Sequence, residues 1–225
     1  MTFSLVARDG ATGAFGAVVT SSSPAVAARC AHVRSGVGAA ASQNVTNPAL
    51  GPRLLHLLEE GVEPRHAIAA AVASDEYSGY RQLTVVDARG RTAAYSGDGT
   101  LGTHRTVEGD GVVAAGNLLS DPGVVDAMLA AYERSDGAEF EDRLLAGLLA
   151  GRDAGGEEGP EHSAGIVVVY EVSWPVTDLR VDWADDDPMG ELEQLWRRWA
   201  TMKRDYLSRA LRPADAPSYG VPGDA

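Results

Sequence analysis

The chain has one cysteine, Cys30, and one lysine, Lys203, in 225 residues. A lone cysteine excludes a disulfide framework and a cysteine-built zinc centre. A lone lysine near the end leaves no ordinary catalytic lysine before the last helix, so the remaining fixed cations are arginines. Positive charge is scarce altogether: 19 Lys and Arg face 32 Asp and Glu, for a formal net charge of -13. That balance removes the basic stripe that phosphate backbones and anionic membrane surfaces require. No apolar run reaches the roughly 20 residues of a membrane span. The opening MTFSLVARDG has neither the basic start nor the long apolar stretch of a signal peptide. These absences predict a cytoplasmic protein with no nucleic-acid and no membrane partner. His32, His56 and His66 share no ligand spacing with any acid, so no metal is expected. No helix opens behind Gly97-Asp98-Gly99, so it is no phosphate loop, and no cofactor is expected.

What the chain does have is 44% hydrophobic residues and 26 glycines, a composition that fits one large domain with many tight turns. Strand patterns occupy residues 3–8 and 14–20 around Asp9-Gly10, 37–43, 83–87 and 92–96 around Ala88-Arg89-Gly90, 112–118, 166–172 and, less regularly, 176–183. Helix signals open at Asn47-Pro48, Pro64, Asp121-Pro122 and Asp187-Pro188, and a further helix carries Phe140, Leu144 and Leu148. The last helix is read as continuous from Asp187 to beyond Tyr206, followed by a Pro- and Gly-rich tail, residues 213–225, that forms no helix. Hairpins dominate, which predicts an α+β fold of mostly antiparallel sheets with helix pairs on their outer faces. Residues 1–186 read as the main domain and 187–225 as a C-terminal helix and tail.

The most informative position is Thr2. Initiator methionine is normally removed before so small a residue, and a terminal threonine carries its own base. Its α-amine, with an ordinary pKa of about 7.7 to 8.0, lies a bond or two from the hydroxyl it would activate. Antiparallel pairing sets Thr20 to Ser23 beside the chain start. Three other strand ends are polar: Ser42-Gln43-Asn44, Gly116-Asn117, read as a turn, and the start near Ser163 after His162.

Several segments resemble the DUF1028 family: MTFSLVARDGATGAFG, SSSPAVAARCAHVRSGVGAAASQNVTNPALGPRLL, YRQLTVVDARGRTAAYSG, VVAAGNLLSDPGVVDAM, HSAGIVVVYEVSWPVTDLRVDW and APSYGVPGD. That family is assigned to the Ntn-hydrolase-like superfamily, and the resemblance implies a four-layer αββα sandwich. A looser similarity to proteasome β subunits implies roles. Thr2 would be the nucleophile, and Ser21 and Ser22 the polar groups beside the amine. Arg29 or Arg34 would stand where those enzymes use lysine, acting only electrostatically because arginine relays no proton. Backbone near Asn44 and Asn117 would hold the oxyanion, and Ser163 would sit beside the amine. Arg81 and Gln82, with His162, are the expected substrate-binding residues, suited to a small molecule bearing a carboxylate.

The expected function is therefore an N-terminal-nucleophile amidohydrolase that cleaves a small amide or ureide through a Thr2 acyl-enzyme. The alternative is a non-catalytic small-ligand-binding protein on the same fold. A third reading puts the nucleophile at Ser21, Ser22 or Cys30. Each residue also has a plainer role: Ser21 to Ser23 as a turn before Pro24, the arginines as solvated charge, the histidines as surface groups, Cys30 as core. Trp196 and Trp199 predict that the C-terminal helix packs on the domain or on a second subunit, with residues 216–224 laid across a neighbour in a homo-oligomer.

Overall fold

Period-two burial builds the layers of this molecule. In a computed structural model, which describes residues 1–221, ten strands form two sheets. One sheet contains β1 (Thr2–Arg8), β2 (Phe15–Ser21), β7 (Arg105–Gly109), β8 (Val112–Asn117), β9 (Ser163–Val169) and β10 (Thr177–Val181), in the order β10-β9-β2-β1-β8-β7. The other contains β3 (Ala31–Arg34), β4 (Gly38–Asn44), β5 (Arg81–Asp87) and β6 (Thr92–Ser96), in chain order. Every paired neighbour is antiparallel. The helices are α1 (Ala27–Cys30), α2 (Leu50–Glu59), α3 (Pro64–Ala73), α4 (Gly123–Arg134), α5 (Phe140–Asp153), α6 (Pro188–Ala200) and α7 (Lys203–Leu211).

Along β1, Phe3, Leu5 and Ala7 point outward and pack with Met128 of α4, Leu144 and Leu148 of α5, and Leu192 and Trp196 of α6. Each fully buried Leu or Phe contributes about 1.5 to 3 kcal/mol. Val6, of the opposite parity, faces the other sheet and joins Phe15, Ala17, Ala39, Ala41, Val86, Val113 and Val169. On the far side, Ala40, Leu83 and Val85 pack under Leu50, Leu54 and Leu58 of α2 and Ala67 and Ile68 of α3. Helices, sheet, sheet, helices: the αββα sandwich is what the chain forms. Small residues on β4 keep the sheets close. Gly16 does the same for α5, since a Cβ there would meet Leu144 Cδ1 at 2.5 Å.

α6 starts on a side-chain cap, Asp187, and α4 on an aspartate one residue ahead of its N-cap Pro122. Asp121 Oδ1 accepts from Gly123 N at 2.7 Å, and Asp187 Oδ1 accepts from Gly190 N at 2.9 Å. The structure corrects the sequence reading in several places. β3 and β7 were not expected; the first is four residues long and the second a mostly polar edge strand, so neither carries a hydrophobic period. β9 begins at Ser163, where a strand start was expected, but ends at Val169 rather than at Val172, and β10 ends before Trp183. The expected single last helix breaks at Thr201-Met202 into α6 and α7. Gly116-Asn117 closes β8, as the expected strand over 112–118 had it, and forms no separate turn.

α6 packs on its own domain. Trp196 is 2% exposed and donates from Nε1 to Asp142 Oδ1 at 2.6 Å, while Trp199 Nε1 donates to the Val176 carbonyl at 3.1 Å. The expected tail contains one 3-10 turn, Pro213–Asp215. Beyond it, Arg209 donates to the carbonyls of Pro217 and Ser218 and lies 3.9 Å from the centre of the Tyr219 ring, so this stretch rests on α7 of the same chain. The end of the expected tail, residues 222–225, lies outside the described residues. Among the described residues no helix is long and apolar enough to cross a membrane.

Candidate active site at the head of the first strand

The parity that sends Val6 between the sheets sends Ser4 and Thr2 there too. The space between the sheets is therefore apolar in the middle and polar at the end where β1 begins. Ser4 Oγ donates to Gln43 Oε1 at 2.6 Å, from one sheet to the other. Gln43 Nε2 donates to Gln82 Oε1 at 2.8 Å, and Asn117 Nδ2 donates to the same oxygen at 3.1 Å. Gln82 Nε2 donates to the Gly116 carbonyl at 3.0 Å and to Ser96 Oγ at 3.1 Å. Gln43, Gln82 and Asn117 are buried, and Asn117 Oδ1 has no partner among the described residues.

Thr2 sits above this floor, paired with Asn117 of β8. On its other side β2 delivers Ser21, whose Oγ accepts from Thr2 Oγ1 at 3.3 Å. Ser21 Oγ lies 2.9 Å from Ser23 Oγ, and Arg29 Nη2 donates to Ser23 Oγ at 3.0 Å. Hydroxyls thus run in file from the strand head to a half-buried guanidinium. Ser163, opposite Ser21 in β9, donates to the Ser23 carbonyl at 2.6 Å and accepts from Val26 N at 3.2 Å. Ser163 therefore braces the turn and directs its hydroxyl there. The Met1 carbonyl accepts from both Thr2 Oγ1 and Ser21 Oγ. Among the described residues, three of the four non-glycine residues with positive φ, Ala25 (52°), Asn44 (73°) and Leu118 (51°), end or follow strands at this end of the sandwich.

The remaining expected residues are placed less centrally. Ser22 is present through its backbone, whose N–H donates to Glu157 Oε2 at 3.2 Å. Asn44 braces neighbouring loops, donating to the Tyr80 carbonyl at 2.6 Å and accepting from Leu101 N at 3.2 Å. Arg81 turns to Asp75, 2.8 Å away through Nε, and to the Val45 carbonyl at 2.6 Å. That contact holds the Asp75 carboxyl below its usual range. Arg34 pairs with Glu59 on the surface. His162 stacks on Trp183 at 4.3 Å between ring centroids and lies 2.8 Å through Nδ1 from the Ala184 carbonyl. Cys30 is buried, and burial pushes its thiol up to about 11, which removes it as a ready nucleophile.

Sequence reasoning missed Ser4, named Gln43 only within a polar strand end, and missed Glu157. The first two are signalled by parity alone, since both fall on the inner face of their strands. Glu157 lies in the glycine-rich loop after α5, yet it is only 5% exposed. That loop is pinned by Leu119, which bridges to Glu157, and by Ser120 N, which donates to the Gly156 carbonyl at 3.1 Å. Burial drives the Glu157 carboxyl up to about 8; the chain's N-terminal ammonium opposes the rise, and Glu161 adds to it. Glu157 Oε1 has no partner among the described residues.

A cavity of about 650 Å³ opens at the other end of β1, between the turn at Asp9, the start of α5 and α7. Its buried cations are already paired: Lys203 with Glu141 at 2.9 Å, and Arg143 with Asp9 at 3.2 Å. It shares no residue with the cluster around Thr2. No group of three or more His, Cys, Asp or Glu residues among the described residues could hold a metal.

Comparison with known proteins agrees on the fold and is silent on chemistry. The model of DUF1028, a family of unknown function, matches residues 2–192. The crystal structure of protein SPO2555 from Silicibacter pomeroyi, itself assigned to DUF1028, is 33% identical, with a TM-score of 0.85 over 91% of this chain and 89% of that one. Anbu, the ancestral beta-subunit from Yersinia bercovieri, is 10% identical, with a TM-score of 0.39 over 97% of this chain and 100% of its own. No curated protein matches.

Proposed function

The chain belongs to the DUF1028 family, and for this member we propose an N-terminal-nucleophile amidohydrolase that acts on a small amide or ureide. The observation that supports this reading is the file of hydroxyls at the strand head, Thr2 Oγ1 to Ser21 Oγ to Ser23 Oγ, ending on Arg29. Removal of Met1 frees the α-amine of Thr2, whose ordinary pKa of about 7.7 to 8.0 suits a base at neutral pH. That amine takes the Oγ1 proton while Oγ1 adds to the substrate carbonyl carbon. As the tetrahedral intermediate collapses, the amine returns the proton to the leaving nitrogen. The C–N bond breaks and an ester remains on Thr2. Water, with the same amine as base, then hydrolyses the ester and restores the hydroxyl. Arg29 favours negative charge developing along the file without moving a proton. Backbone N–H groups near Asn44 and Asn117 are the assigned oxyanion donors. A substrate carboxylate is assigned to Arg29 rather than to Arg81, because the Arg81 guanidinium is already turned to Asp75.

One observation favours a second reading, a non-catalytic ligand-binding protein. Ser163 Oγ, expected beside the amine, is instead spent on the Ser23 carbonyl and the Val26 N–H of the turn. The intact mass of untagged protein, before and after an electrophilic threonine probe, separates the two. Catalysis predicts a mass lacking methionine and one adduct that maps to Thr2 and vanishes in Thr2→Ala. A retained methionine, or an adduct at Ser21, Ser22 or Cys30, refutes the Thr2 mechanism. The same reading places the protein in the cytoplasm as a homo-oligomer, with Tyr77, Tyr80, Trp174 and Trp183 as exposed apolar surface; a monomer in light scattering removes the oligomer.

A further inference from the structure

We propose that Glu157 is the positioning residue for the α-amine at the head of β1: its Oε1 accepts a hydrogen bond from that amine and leaves the nitrogen lone pair turned to Thr2 Oγ1. This deepens the Thr2 reading and rests on it.

The geometry comes from the β1–β2 register. Phe3 stands opposite Thr20, and just beyond that pair Thr2 Oγ1 meets Ser21 Oγ at 3.3 Å, so the residue after Ser21 lies beside the head of β1. The Ser22 N–H donates to Glu157 Oε2 at 3.2 Å. One carboxyl oxygen is therefore fixed at the rung where the chain begins, and the other, Oε1, is buried there without a partner. A buried acceptor left empty is costly, and it points to a donor that arrives in the working state. The loop cannot easily swing away, because the Leu119 bridge, Ser120 N to Gly156 O at 3.1 Å and Glu158 N to Leu118 O at 3.0 Å tie it to the end of β8. Glu161 Oε1 holds the Glu157 N–H at 3.1 Å.

The charged and polar groups facing Glu157 are few. They are the Met1 ammonium, one residue ahead of β1, the Ser22 N–H that follows β2, and Glu161 from the same loop. Burial dominates them, so the carboxyl keeps its proton at neutral pH. That protonation state matters for the base. An ionised carboxylate would stabilise the ammonium form and withhold the lone pair. A neutral carboxyl that keeps its proton on Oε2, whose lone pair still accepts the Ser22 N–H, presents Oε1 as the carbonyl oxygen; that atom accepts the amine N–H and leaves the amine free to take the Oγ1 proton.

The test is a pH profile. Adduct formation at Thr2 by the electrophilic threonine probe is followed from about pH 5.5 to about pH 10 in Met1-free wild type, Glu157→Gln and Glu157→Ala. Wild type should spread over two ionisations, because amine and carboxyl titrate together. Glu157→Gln keeps the acceptor and cannot ionise, so it should show one ionisation with a lower midpoint and a plateau rate within about threefold of wild type. Glu157→Ala should lose about tenfold or more on the plateau while melting cooperatively. Superimposable profiles for wild type and Glu157→Gln would overturn the inference, as would an Ala variant as fast as wild type. A second measurement separates this from failure of the nucleophile reading. In Thr2→Ala the α-amine is still present, and its titration can be read from the rate of reductive methylation with formaldehyde and cyanoborohydride, mapped to the N-terminal peptide. Adding Glu157→Gln should lower that midpoint whether or not Thr2 ever reacts with the probe. An unchanged midpoint sinks the positioning role alone.

Discussion

Replacing Glu157 by Gln should make this protein more stable at alkaline pH, although it alters a buried residue beside the candidate site. The carboxyl's ordinary value is 4.5, and burial raises it to about 8 in the folded chain. Below 4.5 the folded and unfolded chains both hold the proton. Between 4.5 and about 8 only the folded chain holds it, so each rise in pH favours unfolding, and above about 8 the folded chain contains a buried carboxylate. At about 1.4 kcal/mol per pH unit, the stability lost over that window is about 5 kcal/mol as a ceiling. Glutamine has nearly the same shape and has no proton to lose. Urea unfolding of wild type and Glu157→Gln at a series of pH values is the assay. The two curves should nearly coincide near pH 5 and separate as pH rises, with the variant ahead by about 2 to 5 kcal/mol near pH 9. Parallel curves across that range would refute the reasoning, because they would mean that Glu157 titrates alike in the folded and unfolded chains.

Two further substitutions test the packing that supports the site. Gln82→Ala removes the acceptor of Gln43 Nε2 and Asn117 Nδ2 and the donor to the Gly116 carbonyl. Urea unfolding should show a loss of about 3 kcal/mol or more, and a loss below about 1 kcal/mol would mean that the network is not held dry. Lys203→Ala leaves the buried Glu141 with Thr177 Oγ1, 2.8 Å away, as its remaining side-chain partner. It should cost about 3 to 5 kcal/mol in the same assay, and adding Glu141→Gln should recover part of that loss.

The layers were legible in the sequence because period-two strands and capped helices announce themselves. Asp121-Pro122 and Asp187-Pro188 marked helix starts to within a residue or two, and Pro64 opened α3 as expected. β7 was not legible, because RTVEG is an edge strand half turned to water and its pairing with β8 comes from a distant part of the chain. The break between α6 and α7 hid behind apolar spacing that continues through Met202 to Tyr206. At the site, Thr2, Ser21 and Ser163 could be placed together because strand ends imply adjacency. Glu157 could not. A carboxylate among glycines reads as solvated until the fold closes the loop over β1, and only three-dimensional closure turns it into a buried acid. Arg81 shows the opposite error: a cation opening a strand looks available until Asp75, six residues earlier, is seen to hold it.

The grading of the space between the sheets has a mechanical consequence. Contacts among Val6, Ala17, Ala39, Ala41 and Val113 resist pulling the sheets apart, but they resist sliding weakly, because apolar contact has no direction. Hydrogen bonds do have direction. Ser4 to Gln43, Asn117 to Gln82 and Gln82 to the Gly116 carbonyl cross from sheet to sheet, and all three lie at the Thr2 end. They act as a dowel driven through one edge of two stacked plates. Toward the other end the sheets are joined by the exposed Thr92 to Glu108 bond at 2.6 Å, so the buried, directional resistance to shear is concentrated beside Thr2.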